Sequence, residues 1–124
     1  MVAESTYYFT RLLIGILSHS SAEQKKFTSD RGVLNEFFVR KREDFPELLG
    51  GVPVYQTVVG KRMHDLNTAL TLLHAQGVIW YCGRFAYEFG LGKESRQRAL
   101  EYFPNYTQKP LQSLSEKFQY ELMR

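Results

Sequence analysis

The hydrophobic positions between residues 63 and 89 change from a helical period to a strand period. The apolar residues of the first part recur at i, i+3, i+4 and i+7: Leu66, Ala69, Leu70 and Leu73. This spacing predicts one apolar stripe along a helix over residues 63–76. Gly77 follows, and a glycine in the left-handed conformation is a common way to end a helix.

A β-hairpin is predicted directly after this helix, over residues 78–89. Residues 78–82 are β-branched or aromatic except for the last, Cys82, and residues 85–89 alternate again after Gly83 and Arg84. Gly83 can supply the positive φ of a type II′ turn, so the pattern favours a two-residue Gly-X turn.

Further helices are predicted on both sides of this segment, over residues 5–18, 30–42, 93–103 and 111–123. The first has a wide apolar face and Ser5 or Thr6 near its N-cap, and Asp30 is suited to cap the second. Residues 105–110 are expected to connect the last two helices. The final helix carries a narrow apolar stripe of Leu111, Leu114, Phe118 and Leu122.

The order turn glycine, helix, hairpin resembles the winged helix-turn-helix superfamily. The residues at the superfamily's characteristic spacings are Gly60, Ala69, Leu70, Leu73, Gly77, Val78 and Ile79. The resemblance covers residues 54–89. It implies a mainly α fold with a small β-hairpin, in which a winged helix-turn-helix core is flanked by N-terminal and C-terminal helices in a single domain over residues 1–124.

Residues 52–59 fit two structures. The resemblance places the first helix of the helix-turn-helix here, with Tyr55 and Val59 at its apolar positions and Pro53 in its first turn. The β-branched residues of the segment instead favour a strand over residues 54–59. A strand would remove the helix-turn-helix at its first element.

Composition indicates one globular domain with a weakly basic surface. The net charge is +3, and the basic residues are spread in short clusters, whereas nucleic-acid binders usually concentrate them on one face. The single cysteine, Cys82, cannot form an internal disulfide and is expected to be a small buried hydrophobe. No apolar run is long enough to suggest a membrane span or a signal peptide, so the expected setting is the cytoplasm.

Motifs for catalysis or cofactor binding are not found. His64 and His74 are too far apart on one helix to share a metal, and no nucleophile elbow, phosphate-binding loop or dinucleotide fingerprint occurs. We therefore expect no enzyme activity, no metal and no cofactor.

The expected site is the outward face of the 63–76 helix together with the tip of the hairpin. If that helix enters a major groove, it would present His64, Asn67, Thr68 and Thr71, with Lys61 and Arg62 before it and Arg84 at the wing tip. Asn67 could pair with adenine, and the cations would contact phosphates. Asp65, expected on the same face, would repel phosphate.

Two functions remain open. The first is a DNA-binding transcriptional regulator, a homodimer through its N-terminal or C-terminal helices, with the stripe of the last helix slightly more suited to a second subunit than to its own domain. The second is a winged-helix module that binds protein, because the 15% aromatic content is high and aromatic residues are enriched at interfaces. Exposure of Trp80, Tyr81 or Tyr87 would favour the second.

Overall fold

A long first helix lies at the centre of a mainly helical fold with two small antiparallel sheets. The structure is a computed structural model that describes residues 4–20 and 25–123. Its elements in chain order are α1 (Glu4–Ser18), β1 (Lys26–Thr28), α2 (Arg31–Lys41), α3 (Pro46–Leu49), β2 (Tyr55–Thr57), β3 (Gly60–Arg62), α4 (His64–Ala75), β4 (Ile79–Cys82), β5 (Ala86–Phe89), α5 (Lys93–Tyr102) and α6 (Asn105–Leu122). None of the helices among these residues is both long and apolar enough to cross a membrane.

Helix α1 is buried on most of its surface and contacts α4, α5 and α6. Phe9, Leu12 and Ile16 are fully buried, as expected for a wide apolar face. Thr10 and Ser18, which lie among them, donate hydrogen bonds to carbonyls one turn earlier, so their hydroxyl groups are satisfied. Ser5 and Thr6 lie in the first described turn of α1, and the N-cap expected near them lies outside the described residues.

The last helix begins six residues earlier than expected, at Asn105, and continues through Pro110. Pro110 is the sixth residue of this helix, beyond the four N–H groups that have no partner inside it, so it removes the bond that a backbone N–H would make to the carbonyl of Tyr106. The extra turn is held from outside the helix. Gln108 Nε2 donates to the carbonyls of Leu100 and Phe103 at 2.8 and 2.7 Å.

The apolar stripe of α6 is buried by the chain itself. Leu111, Leu114 and Phe118 have no exposed surface, and the Phe118 ring lies 5.6 Å from the rings of both Phe27 and Phe37. The expectation that a second subunit covers this stripe is therefore wrong. A homodimer stays a prediction, but it would have to use another surface.

The larger sheet has the strand order β1-β5-β4, with all neighbours antiparallel. Cys82 pairs with Ala86, which leaves the three residues 83–85 in the hairpin loop. The expected two-residue turn is therefore wrong, although Gly83 has the predicted positive φ, +73°. Phe85 is the last residue of this loop, its side chain is exposed, and its carbonyl accepts from the backbone N–H of Ser29, next to β1.

Residues 55–57 form the strand β2, not a helix, and pair with β3 in a separate two-stranded hairpin. The expected first helix of a helix-turn-helix at residues 52–59 is therefore wrong. Val58 and Val59 occupy the exposed tip of this hairpin, and Gly60 has a φ of +110°. The strand alternative, predicted over residues 54–59, is confirmed in part, for residues 55–57.

Helix α2 positions the start of α4. Asn35 is buried in α2, where its Nδ2 donates to the carbonyl of Arg31. Its Oδ1 accepts from the backbone N–H of Met63 at 2.9 Å, one residue before α4. The two helices are thus connected by a side-chain bridge, while residues 42–63 form α3 and the β2–β3 hairpin between them.

Candidate nucleic-acid interface

The outer face of α4 is polar and accessible. His64, Asn67 and Thr71 are exposed, as expected, and Thr68 is half-buried. The Thr71 hydroxyl donates to the carbonyl of Asn67 at 3.0 Å, so it is partly occupied by its own helix. His74, one turn further along, also faces outward. Leu66, Ala69, Leu70 and Leu73 lie on the opposite, buried face.

Asp65 lies on the buried side of α4, so its expected exposure is wrong. It is 7% exposed, and its Oδ1 accepts a hydrogen bond of 2.6 Å from the hydroxyl of Thr6 on α1. At about 100° per residue, position 65 lies beside Ala69 and not beside His64. The only carboxylate of α4 is thereby removed from the outer face.

Arg31, which sequence reasoning did not single out, connects this face to the larger sheet. It is the first residue of α2, after the N-cap Asp30. Its Nη1 donates to Asn67 Oδ1 at 3.2 Å, and its Nη2 lies 3.5 Å from the hydroxyl of Tyr87 on β5. A cation in the first turn of a helix opposes the helix dipole, and this mismatch was the available sequence signal.

A groove of about 290 Å³ runs between α4 and the β4–β5 hairpin. Its lining residues are Arg31, Thr71, His74, Ala75, Tyr81 and Tyr87. The rings of His74 and Tyr81 are 5.4 Å apart across it. Each polar side chain of the lining can donate a hydrogen bond, and none is acidic. The groove is therefore suited to an anionic group.

The Tyr87 hydroxyl accepts from Arg31 Nη2 and donates to the Tyr81 hydroxyl in this groove. Burial raises the pKa of Tyr87, and the hydrogen bond with Tyr81 raises it further, while Arg31 acts in the opposite direction. The net effect is a pKa above the usual value for tyrosine. The oxygen of Tyr87 is 3.5 Å from that of Tyr81.

The cations expected around the helix do not all lie together. Arg84 is exposed in the β4–β5 loop, and the hydroxyl of Ser29 donates to its carbonyl, so the loop lies beside the start of α2. Arg62 also lies there, because a Cβ added at Gly32 would be 3.8 Å from its Nη1. Lys61 instead lines a groove with Val39 and Arg42, near the end of α2.

The arginines near the start of α2 form no ion pair within the described residues, although the carboxylate of the N-cap Asp30 also lies there. The ion pairs found among the described residues join Glu121 to Arg40 and Lys41, and Glu94 to Arg98. Arg31, Arg62 and Arg84 take part in none of them. Among residues 4–20 and 25–123, no three His, Cys, Asp or Glu side chains are placed to hold a metal ion.

Comparisons of this chain with protein-family models, curated proteins and solved structures found no match.

Proposed function

We propose that the protein binds duplex DNA, with the outer face of α4 in the major groove and the β4–β5 loop on an adjacent phosphate backbone or minor groove. In this proposal α2 and α4 are the two helices of a winged-helix core, and residues 42–63 are an insertion between them. The Asn35 bridge and the contact between Arg31 and Asn67 support this pairing of helices.

The observation that carries the proposal is an exposed polar helix face with arginines beside it that form no ion pair within the described residues. With Asp65 buried, the outer face of α4 has donors and acceptors for base edges and no carboxylate to repel phosphate. Arg62 precedes α4 in the sequence and Arg84 follows it, and both residues lie near the start of α2. Their charges are available to phosphates. A transcriptional role would follow if binding depends on sequence.

A salt titration of binding to random duplex DNA tests the proposal. We expect the logarithm of affinity to fall linearly with the logarithm of salt concentration, because phosphate contacts release counterions. Arg62→Ala and Arg84→Ala should each reduce this slope by about one. Lys117→Ala, an exposed lysine on α6, is the matched control and should keep the wild-type slope. Absence of binding by the wild-type chain at low salt would overturn the proposal.

A protein-interaction module is the second candidate, because aromatic side chains are exposed on the β4–β5 hairpin. Trp80 is 40%, Tyr81 60% and Phe85 83% exposed, whereas Tyr87 is buried. Such residues are typical of binding surfaces. A chain without DNA affinity that still binds a protein partner, and loses that partner on Phe85→Ala, would favour this function. Neither function requires catalysis.

A further inference from the structure

Arg31 determines which hydrogen-bonding groups Asn67 can offer to a base. The guanidinium of Arg31 has donors only, so the Asn67 amide must present its oxygen to it, as the 3.2 Å contact shows. This contact occupies one of the two lone pairs of the Asn67 oxygen, whereas Nδ2 has no partner among the described residues and can donate to a ligand. Asn67 is exposed, so this group is accessible from the outer face of α4.

The position of the guanidinium is fixed from two sides. Asn67 holds Nη1, and the Tyr87 hydroxyl lies beside Nη2 at 3.5 Å. Tyr87 itself is buried in the larger sheet, with its ring packed 5.4 Å from that of Phe27. A side chain held in this way loses little freedom on binding, which favours its use in recognition.

Adenine and guanine require different hydrogen-bonding groups from the side chains that bind them in the major groove. To bind adenine with both atoms, an asparagine must accept from the N6 amino group and donate to N7. Arg31 already places a positively charged donor at the Asn67 oxygen, which disfavours the approach of a second donor, the amino group of adenine, to the remaining lone pair. Guanine presents two acceptors, O6 and N7, in the major groove. A pair of side chains that offers donors alone complements guanine.

We infer that Arg31 is a specificity-determining residue. Through its contact with Asn67, the two side chains together prefer guanine, whereas Asn67 without Arg31 would prefer adenine. This inference rests on the proposed binding of duplex DNA. It replaces the expectation from sequence that Asn67 pairs with adenine. Two neutral contacts hold the guanidinium, so its charge also favours the electronegative edge of guanine.

Selection of bound duplexes from a library with a randomised core tests the inference. Asn67→Ala first locates the base pair that this residue reads, as the position where preference is lost. At that position the wild-type chain should prefer guanine. Arg31→Met keeps the aliphatic part of the side chain and removes the donors. It should shift the preference toward adenine by about tenfold, the scale of one bidentate contact.

Two further variants separate specificity from affinity and folding. Arg84→Ala should weaken binding to all sequences and leave the base preference unchanged, because Arg84 does not contact Asn67. Arg31→Lys keeps the charge but has a single ammonium group that cannot hold both partners, so it should reduce the guanine preference. This variant supplies the result if Arg31→Met fails to fold, as judged by circular dichroism.

The outcomes distinguish this inference from the proposed function. Wild-type preference for adenine, or an unchanged preference in both Arg31 variants that still bind DNA, would overturn the role of Arg31 and leave DNA binding intact. A wild-type chain that binds no duplex at low salt would overturn the proposed function, and the role of Arg31 with it.

Discussion

Asp65 shows how one buried contact changes the electrostatics of a whole surface. Its Oδ1 accepts from Thr6, and its Oδ2 is buried without a partner among the described residues. A carboxyl group with so few hydrogen bonds in the interior depends strongly on each of them.

The variant Thr6→Val should therefore destabilise the protein, because it removes the hydroxyl donor while nearly preserving side-chain volume. We expect the free energy of unfolding to fall by about 1–3 kcal/mol in a urea titration. Thr71→Val is the matched control on the exposed side of α4 and should change it by less than about 0.5 kcal/mol. Equal stability of Thr6→Val and the wild type would show that this contact does not hold Asp65.

His19 should make the stability of the fold depend on pH. Burial lowers the pKa of His19 below the usual 6.5, and Glu116 partly offsets the effect. The unfolded chain therefore binds a proton more readily than the folded one. The His19 contribution to stability is present above about pH 6.5 and is lost as the pH falls toward the lowered pKa.

The variant His19→Gln should lack this part of the pH dependence. Urea titrations between pH 7.5 and 5.5 should show a smaller decrease in the free energy of unfolding for His19→Gln than for the wild type. His64→Gln, which changes an exposed histidine on α4, should retain the full decrease. A decrease that is equal in all three proteins would exclude His19 as its source.

At the scale of elements, the end of α4 fixes where the hairpin begins. Gly77 has a φ of +74°. Its N–H donates to the carbonyl of His74, and the N–H of Val78 donates to that of Leu73 at 2.9 Å. These are the two bonds of a Schellman motif, so β4 follows the helix without a linker.

The variant Gly77→Ala should weaken this junction. A residue with a Cβ in the left-handed conformation costs about 1–2 kcal/mol. Alanine also reduces the conformational entropy of the unfolded chain, which offsets part of this cost, so we expect the free energy of unfolding to fall by about 1 kcal/mol. Gly51→Ala is the control, because its backbone is not left-handed and a Cβ there meets nothing within 4 Å. It should be neutral or slightly stabilising. A loss as large at Gly51 as at Gly77 would contradict the conformational explanation.

Elements also differ in how well their sequences specify them. The stripe of α4 and the alternation of β5 are regular over enough residues to identify the element. The strand β2 has three residues, all exposed, and its pairing with β3 decides its structure more than its own pattern does. The first turn of α6 depends on Gln108 reaching back to α5, which no local pattern reveals.

At the scale of the whole molecule, a cluster of aromatic rings joins both ends of the chain's core. Phe118 on α6 lies within about 6 Å, between ring centroids, of Phe27 on β1 and of Phe37 and Phe38 on α2. Phe38 in turn contacts Phe9 on α1 at 5.1 Å. One cluster thus connects the first helix, the sheet, α2 and the last helix.

The variant Phe118→Ala should therefore destabilise the entire fold. Removing a fully buried phenylalanine typically costs about 3–5 kcal/mol. Unfolding followed by circular dichroism and by Trp80 fluorescence should shift to lower urea concentration by the same amount. Lys117→Ala, the exposed neighbour, should leave the transition in place. A loss below about 1 kcal/mol would show that α6 folds apart from the rest.

The sequence by itself determined α1, α2, α4 and α5, the β4–β5 hairpin, the left-handed Gly77 and the exposure of Asn67, because each follows from a local period or a backbone preference. Tertiary structure alone decided that Asp65 is buried against Thr6, that Arg31 reaches Asn67 across 36 residues and that α6 is covered by its own chain. These contacts join residues far apart in sequence. They depend on how helices rotate and pack against one another, which hydrophobic period alone does not specify.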